Sequence, residues 1–178
     1  MMTTSQEAEG AVSWLDKIEK LAACQPAMRW LREEGFQSLE EAWQACTRPD
    51  WMLWLLGRLS TSPQSPQRIA LLPVLCDYAE LEDSGEDPFS LAVLKRVRAW
   101  LRGESQKPNV EALYAELEWH ARTLAQYNLE LAISVIRVLD AIQRENCSWA
   151  AGGAASGPKA MEAGSTIVRR HFPHAPNL

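Results

Sequence analysis

The chain has 178 residues, of which 47% are hydrophobic and 23% are charged, and its formal net charge is −5. A chain of this length and composition buries a substantial core, which excludes an intrinsically disordered protein. The negative charge disfavours general affinity for nucleic acid or for an anionic membrane surface, and it favours a basic partner.

The apolar runs are shorter than the ~20 residues of a membrane span, and the first residues are polar, so we expect a cytoplasmic protein. The cysteines agree with a reducing compartment. Cys24, Cys46, Cys76 and Cys147 form no C-x-x-C pair, and the three histidines do not cluster with them. We therefore predict no metal site, no cofactor and no disulfide.

Helical spacing of apolar residues runs through the chain, whereas alternating strand patterns are nearly absent from the sequence. The first predicted helices cover residues 7–23, 26–34 and 38–46. Pro49 then begins a helix whose residues 51–59 are apolar on almost all sides, which indicates burial on most faces. Gly57 lowers helix propensity there, so we expect it to permit a close contact with another helix.

The second half continues the helical pattern. Helices are predicted from Pro66 to about Glu82 and from Pro88 to about Arg102, the latter capped by Asp87. Residues 109–147 contain no proline or glycine and form either one long helix or two joined near Tyr127-Asn128; the usual helix length favours two. Residues 150–158 are rich in glycine and alanine and predict a flexible connector before a last helix over residues 159–171.

These segments predict an all-α fold, a single compact array of about seven to nine helices that forms one domain over residues 1–178. Four of the eight tryptophans lie at core-like helical positions and are predicted to be structural: Trp43, Trp51, Trp54 and Trp100. Trp14, Trp119 and Trp149 are less constrained, and exposed tryptophans are typical anchors of protein interfaces.

Sequence motifs of catalysis are absent: the chain has no phosphate loop, no G-x-S-x-G and no H-E-x-x-H. His120 lies one helical turn after Glu116 and would need a cleft and an orienting acid to act as a general base. A surface or half-buried helix histidine is the simpler interpretation. We therefore predict a protein that is not an enzyme.

The sharpest charge feature is a run of acids without a basic residue among them: Asp77, Glu80, Glu82, Asp83, Glu86 and Asp87. One interpretation is a solvated helix end and loop. The other is a docking surface for a basic partner, which complementary charge would attract and select. Arg169, Arg170 and His171 form a second candidate surface, although cations also suit the negative end of a helix.

The chain resembles a bacterial family of all-α immunity proteins of the Imm5-like type, encoded beside toxins of polymorphic toxin systems and on mobile elements. Four motifs span residues 24–173 in order: Cys24-x-Pro26-Ala27-x-x-Trp30-Leu31, then Leu39-Glu40-Glu41-Ala42-Trp43-x-x-Cys46-x-Arg48-x-Asp50-Trp51-Met52-Leu53-Trp54-Leu55, then Arg98-Ala99-Trp100-x-x-Gly103-Glu104, and Ile167-Val168-Arg169-Arg170-His171-Phe172-Pro173. The stretch between the last two motifs departs from the family, whose members are often alanine-rich there.

The resemblance implies a non-enzymatic inhibitor that neutralises a partner protein, a toxin, by occluding its working surface. An alternative with the same mechanism is a phage-encoded or mobile-element-encoded inhibitor of a host defence complex, of the anti-CRISPR or anti-defence type. A further alternative of a different class is a helical enzyme of unknown activity that uses His120 or a cysteine. The family supplies no catalytic residues.

Overall fold

A computed structural model describes residues 13–123 and 129–178. Every regular element in those ranges is an α-helix, so the predicted all-α class is confirmed, but the eleven helices described exceed the seven to nine expected. They are α1 (Trp14–Lys20), α2 (Gln25–Glu34), α3 (Leu39–Ala45), α4 (Pro49–Leu59), α5 (Pro66–Leu81), α6 (Pro88–Leu101), α7 (Val110–Thr123), α8 (Glu130–Gln143), α9 (Ser148–Ala154), α10 (Pro158–Ala163) and α11 (Thr166–His171). None of the helices in the described ranges has the length and apolarity needed to cross a bilayer.

The contacts divide the chain into two compact units, Met1–Ala45 with Ala175–Leu178, and Cys46–His174. The predicted single domain over residues 1–178 stays a prediction, because two units of contact can still belong to one cooperative domain.

Local signals explain the helices of the first unit. Ser13 and Asp16 form a reciprocal capping box at the start of α1. Helix α2 ends at Gly35, whose φ of 68° lies in the left-handed region that glycine adopts at low cost. Trp43 on α3 is buried, as predicted for a core residue.

In the second unit, α4 packs closely against α9. A Cβ atom on Gly57 would lie 2.9 Å from the Cα of Ser148 and 3.0 Å from the Cβ of Ala151. On α9, a Cβ on Gly152 would lie 3.0 Å from the carbonyl oxygen of Asp50. The predicted role of Gly57 in a close helix contact is therefore confirmed.

The same contact corrects the predicted flexible connector over residues 150–158. Most of that stretch is helical, because α9 ends at Ala154 and α10 begins at Pro158. The small side chains of its alanines and glycines allow α9 to approach α4 closely. A flexible linker would not need small residues for this reason. Ala150, Ala151 and Ala154 are accordingly buried.

The predicted tryptophan core is only partly correct. Trp43 is buried, but Trp51, Trp54 and Trp100 are half-buried. The guanidinium of Arg48 lies 4.7 Å from the centre of the Trp51 ring, so one ring face is covered by a cation rather than by core side chains.

Arg68 on α5 is fully buried and holds the C-terminal end of α8. It donates to the carbonyl oxygens of Ala141, Arg144 and Glu145 at 2.6–2.9 Å and to the hydroxyl of Ser60 at 2.9 Å. Ala141 lies in the last turn of α8, and Arg144 and Glu145 directly follow that helix, where a cation interacts favourably with the helix dipole.

Two expectations concern helix ends. Residues 109–147 contain two described helices, α7 and α8, while the predicted break at Tyr127-Asn128 lies outside the described residues. The single last helix expected over residues 159–171 is divided into α10 and α11 at Gly164, whose φ is 59°.

Candidate protein interface

The six acids of the predicted docking surface do not share one exposed face. Glu82 and Asp87 are only 2% and 4% exposed, so their carboxylates are not part of the accessible surface, and the docking surface itself stays a prediction. Glu82 accepts the backbone N–H of Ala160 at 2.9 Å, and Asp87 accepts the N–H of Ser90 at 3.0 Å at the start of α6. Both carboxylates satisfy helix N–H groups that would otherwise lack a partner.

Two further acids bind Arg98. Its Nη2 lies 2.9 Å from Asp77 and 2.7 Å from Glu80, and His171 lies 2.8 Å from the other oxygen of Asp77. Asp83 accepts the N–H of Gly85 within its loop. The accessible acidic edge, defined here as Glu80, Asp83 and Glu86, is therefore smaller than the sequence predicts.

The second candidate surface is partly used inside the second unit. Arg169 donates to the carbonyl oxygen of Cys46 at 2.8 Å, and His171 pairs with Asp77. Arg170 is exposed. This second surface stays a prediction. Its accessible part consists of Arg170 and the exposed atoms of Arg169 and His171.

Beyond the acidic edge, α6 and α7 form an apolar groove of about 500 Å³. Its lining residues are Phe89, Ala115, Glu116, Trp119 and His120. The rings of Phe89 and His120 stack with their centres 4.6 Å apart. Trp119 is 70% exposed, which is unusual for so large an apolar side chain and typical of an interface residue.

Asp87 connects the acidic segment to this groove. Its Oδ1 lies 3.0 Å from Nε2 of His120. Burial alone would raise the pKa of Asp87, but hydrogen bonds from Ser90 and His120 outweigh burial and hold the pKa below its ordinary value. The ionised carboxylate thus fixes the orientation of the imidazole ring, as carboxylate–histidine pairs do in many sites.

The described lining of the groove is mostly apolar. Glu116 and His120 are its two titratable lining residues, and the other lining side chains are apolar. An oriented imidazole is able to accept a proton, and the lining residues that the structure describes include no hydroxyl or thiol to act as a nucleophile beside it. The exposed indole and the apolar wall instead provide a contact surface.

The structure therefore brings Asp87 to the neighbouring residues Trp119 and His120, which lie more than 30 residues away in the sequence. Phe89 was missed as a site residue because its spacing on α6 matches the core-facing side of that helix. One sequence signal could have identified Phe89. It lies in the first turn of α6, directly after the cap Asp87 and Pro88, where a helix begins at the surface.

In the described ranges, no group of three His, Cys, Asp or Glu residues is placed to hold a metal ion. All four cysteines are free; Cys24 is exposed and the other three are buried. Burial raises the pKa of the Cys46 and Cys147 thiols, and it raises that of Cys76 to about 12, so these thiols are not activated nucleophiles.

Comparisons with family models, with curated proteins and with solved structures find no match to this chain.

Proposed function

We propose that this protein is a non-enzymatic inhibitor that binds a partner protein through the groove between α6 and α7 and occludes the partner's working surface. The observation that carries the proposal is the 70% exposure of Trp119 beside an apolar groove. Leaving so large an indole in water forgoes about 2 kcal/mol of burial, which a bound partner would recover.

The chemistry around the groove favours a basic partner segment. Glu116 lies in its wall, and the acidic edge lies at the end of α5 and in the loop that precedes α6. An arginine or lysine side chain would lay its apolar stem against Phe89 and Trp119 and place its charge near Glu116. Complementary charge of this kind mainly raises association rates and selects partners.

The resemblance to immunity proteins supports a toxin as that partner, with neutralisation in the cytoplasm. The alternative, a mobile-element inhibitor of a host defence complex, uses the same mechanism. Neighbouring genes distinguish the two roles: a toxin gene directly upstream supports immunity, and a cluster of anti-defence genes supports the alternative.

The enzymatic alternative depends on the His120–Asp87 pair. His120→Gln separates the two classes, because glutamine keeps a polar side chain in the groove but does not act as a general base at neutral pH. If the protein is a binder, this variant should inhibit the partner with an affinity within a few-fold of the parent. Complete loss of activity with unchanged partner binding would support the enzyme.

The first experiment is affinity purification of the tagged chain from its native host, with identification of the partner by mass spectrometry. Affinity for the purified partner is then measured for Trp119→Ala and Glu116→Lys. Trp119→Ala should weaken binding about 30-fold or more, as expected when an interface anchor worth about 2 kcal/mol is removed. Glu116→Lys should chiefly slow association.

Ile69→Ser is the matched control, because Ile69 is also an exposed apolar residue, 40% exposed, on the different helix α5. Its affinity should equal that of the parent, and all three variants should melt near the parent temperature. Unchanged affinity of both groove variants for the identified partner would refute the groove as the interface.

A further inference from the structure

A second exposed patch lies on α8 and α9, whereas the groove residues belong to α6 and α7, and this patch is here termed the α8–α9 face. It consists of Ile133, Arg137 and Trp149. Ile133 is 40% exposed and Trp149 is 65% exposed. Ile133 and Arg137 are four residues apart on α8, so their side chains lie on the same side of that helix.

Arg137 is held against α9. The centre of its guanidinium lies 3.5 Å from the centre of the Trp149 ring. One helical turn further along α9, a Cβ on Gly153 would lie 3.1 Å from Nε of Arg137 and 3.2 Å from Cδ. The absent side chain at Gly153 thus gives the arginine stem room to cross α9 and stack on Trp149.

This arginine has no carboxylate partner among the described residues. Asp140 lies one turn further along α8, but its carboxylate is buried and accepts a hydrogen bond from Nε of Arg144 at 2.8 Å. Tyr114 is the other titratable group near Arg137 and Arg144. Arg144 therefore takes up the Asp140 carboxylate, and no ion pair with a described carboxylate neutralises the Arg137 guanidinium.

A guanidinium stacked on an aromatic ring keeps its N–H groups at its edge, where a planar carboxylate can accept two of them in parallel. The stacked geometry also reduces the conformational entropy lost on binding, because the side chain is already ordered. Arginine and tryptophan are the residue types most enriched among residues that dominate interface affinity.

We propose that the α8–α9 face is a second interface, which binds an acidic segment of another protein. An aspartate or glutamate of that segment would pair with the edge of Arg137, and a neighbouring apolar side chain would cover Ile133 and Trp149. A polyanion such as nucleic acid fits less well, because its affinity depends on several neutralised phosphates and this face presents a single free arginine beside two apolar residues.

This interface uses other residues than the groove and has the opposite charge preference. The groove offers Glu116 to a basic segment, whereas the α8–α9 face offers Arg137 to an acidic one. One molecule would therefore be able to contact a basic and an acidic surface at once, either on one partner or on two.

The test uses the full chain and a phage-displayed library of random peptides as the probe. Peptides selected on the parent protein are synthesised, and their affinities are compared for Arg137→Gln, Trp149→Ala and Arg137→Lys. The selected peptides should pair an acid with an apolar residue. Arg137→Gln and Trp149→Ala should each weaken binding at least tenfold, and Arg137→Lys should fall between, because lysine keeps the charge but loses the planar fork.

Arg96→Gln is the matched control, since Arg96 is an exposed arginine on α6. It should bind the peptides like the parent, and thermal melting of every variant checks its fold. The proposal is overturned if no peptide is enriched, if the enriched peptides lack acids, or if they bind Arg137→Gln like the parent.

Sedimentation of the parent and of Arg137→Gln tests one more occupant. A dimer of the parent that dissociates in the variant would show that a second copy of the chain covers this face, which would overturn the acidic segment of another protein as its occupant. Loss of peptide binding in Trp119→Ala with full binding in Arg137→Gln would instead assign the peptides to the groove. The two proposals therefore fail in distinguishable ways.

Discussion

Replacement of Gly57 by alanine tests the close contact between α4 and α9. The added Cβ would lie 2.9 Å from the Cα of Ser148 and 3.0 Å from the Cβ of Ala151. The first of these atoms belongs to the backbone, so no side-chain rotation relieves the overlap. The two helices must move apart, and every contact along them loosens.

The expected magnitude follows from two opposing effects. Overpacking of a core costs about 1–3 kcal/mol, and a backbone clash belongs at the upper end, about 3 kcal/mol. Alanine gains at most about 1 kcal/mol over glycine from helix propensity. The net loss in the free energy of unfolding is about 2 kcal/mol, which lowers the melting temperature by about 4–8 °C for a chain of this size.

Gly153→Ala supplies the control within the same contact region. Its added Cβ would meet Nε and Cδ of Arg137 at 3.1 and 3.2 Å, and these atoms belong to a flexible side chain that can move. Calorimetry of both variants should show a large loss for Gly57→Ala and a melting temperature near that of the parent for Gly153→Ala. If Gly57→Ala melts at or above the parent temperature, the close contact described here is not the reason for a glycine in α4.

Further tests concern a buried cation, a buried acid and the thiols. Arg68→Met should lower the free energy of unfolding by about 3 kcal/mol or more in urea, because one buried and two part-buried carbonyls lose their donor; an unchanged midpoint would contradict its role. The lowered pKa of Asp87 stabilises the fold fully above the ordinary value of 3.8, and that stabilisation is lost as the pH falls through the lowered pKa. Asp87→Asn, which can still cap α6, should remove this part of the pH dependence of the melting temperature. A variant whose melting temperature falls with acid as in the parent would contradict this role of Asp87. A thiol reagent should modify Cys24 in the native protein and the buried cysteines only after denaturation, so rapid reaction of Cys76 in native buffer would disprove its burial.

Helix positions in the first two thirds of the chain were predictable because their signals are local. Pro49, Pro66 and Pro88 each begin a helix in the structure, as expected from a residue whose fixed φ suits the first turn. Asp87 caps α6 as predicted. Such signals depend on a few neighbouring residues and need no knowledge of tertiary contacts.

Helix α9 was missed because its determinant is not local. Gly152 and Gly153 lower helix propensity, and a composition rule therefore indicates a linker. The contact with α4, about ninety residues earlier in the chain, stabilises the helix in spite of that propensity. Tertiary packing overrides composition in this stretch.

The candidate interface shows the same division between local and distant information. The run of acids could be seen in the sequence, but whether a carboxylate faces water or caps a helix depends on distant partners. Glu82 meets Ala160, and Asp87 meets His120, 33 residues away. No periodicity in the sequence predicts these contacts.

The long stretch of sequence between α4 and α9 also has a consequence for the newly made chain. The thiol of Cys147 on α9 faces the carbonyl oxygen of Gly57 across 90 residues of sequence. At about 5–20 residues per second, the ribosome needs on the order of 5–20 s to synthesise that interval. During this time α4, apolar on most sides, lacks the helix that covers it. We therefore expect the nascent chain to depend on a chaperone until α9 has left the ribosome. Chains truncated before Ser148 should aggregate.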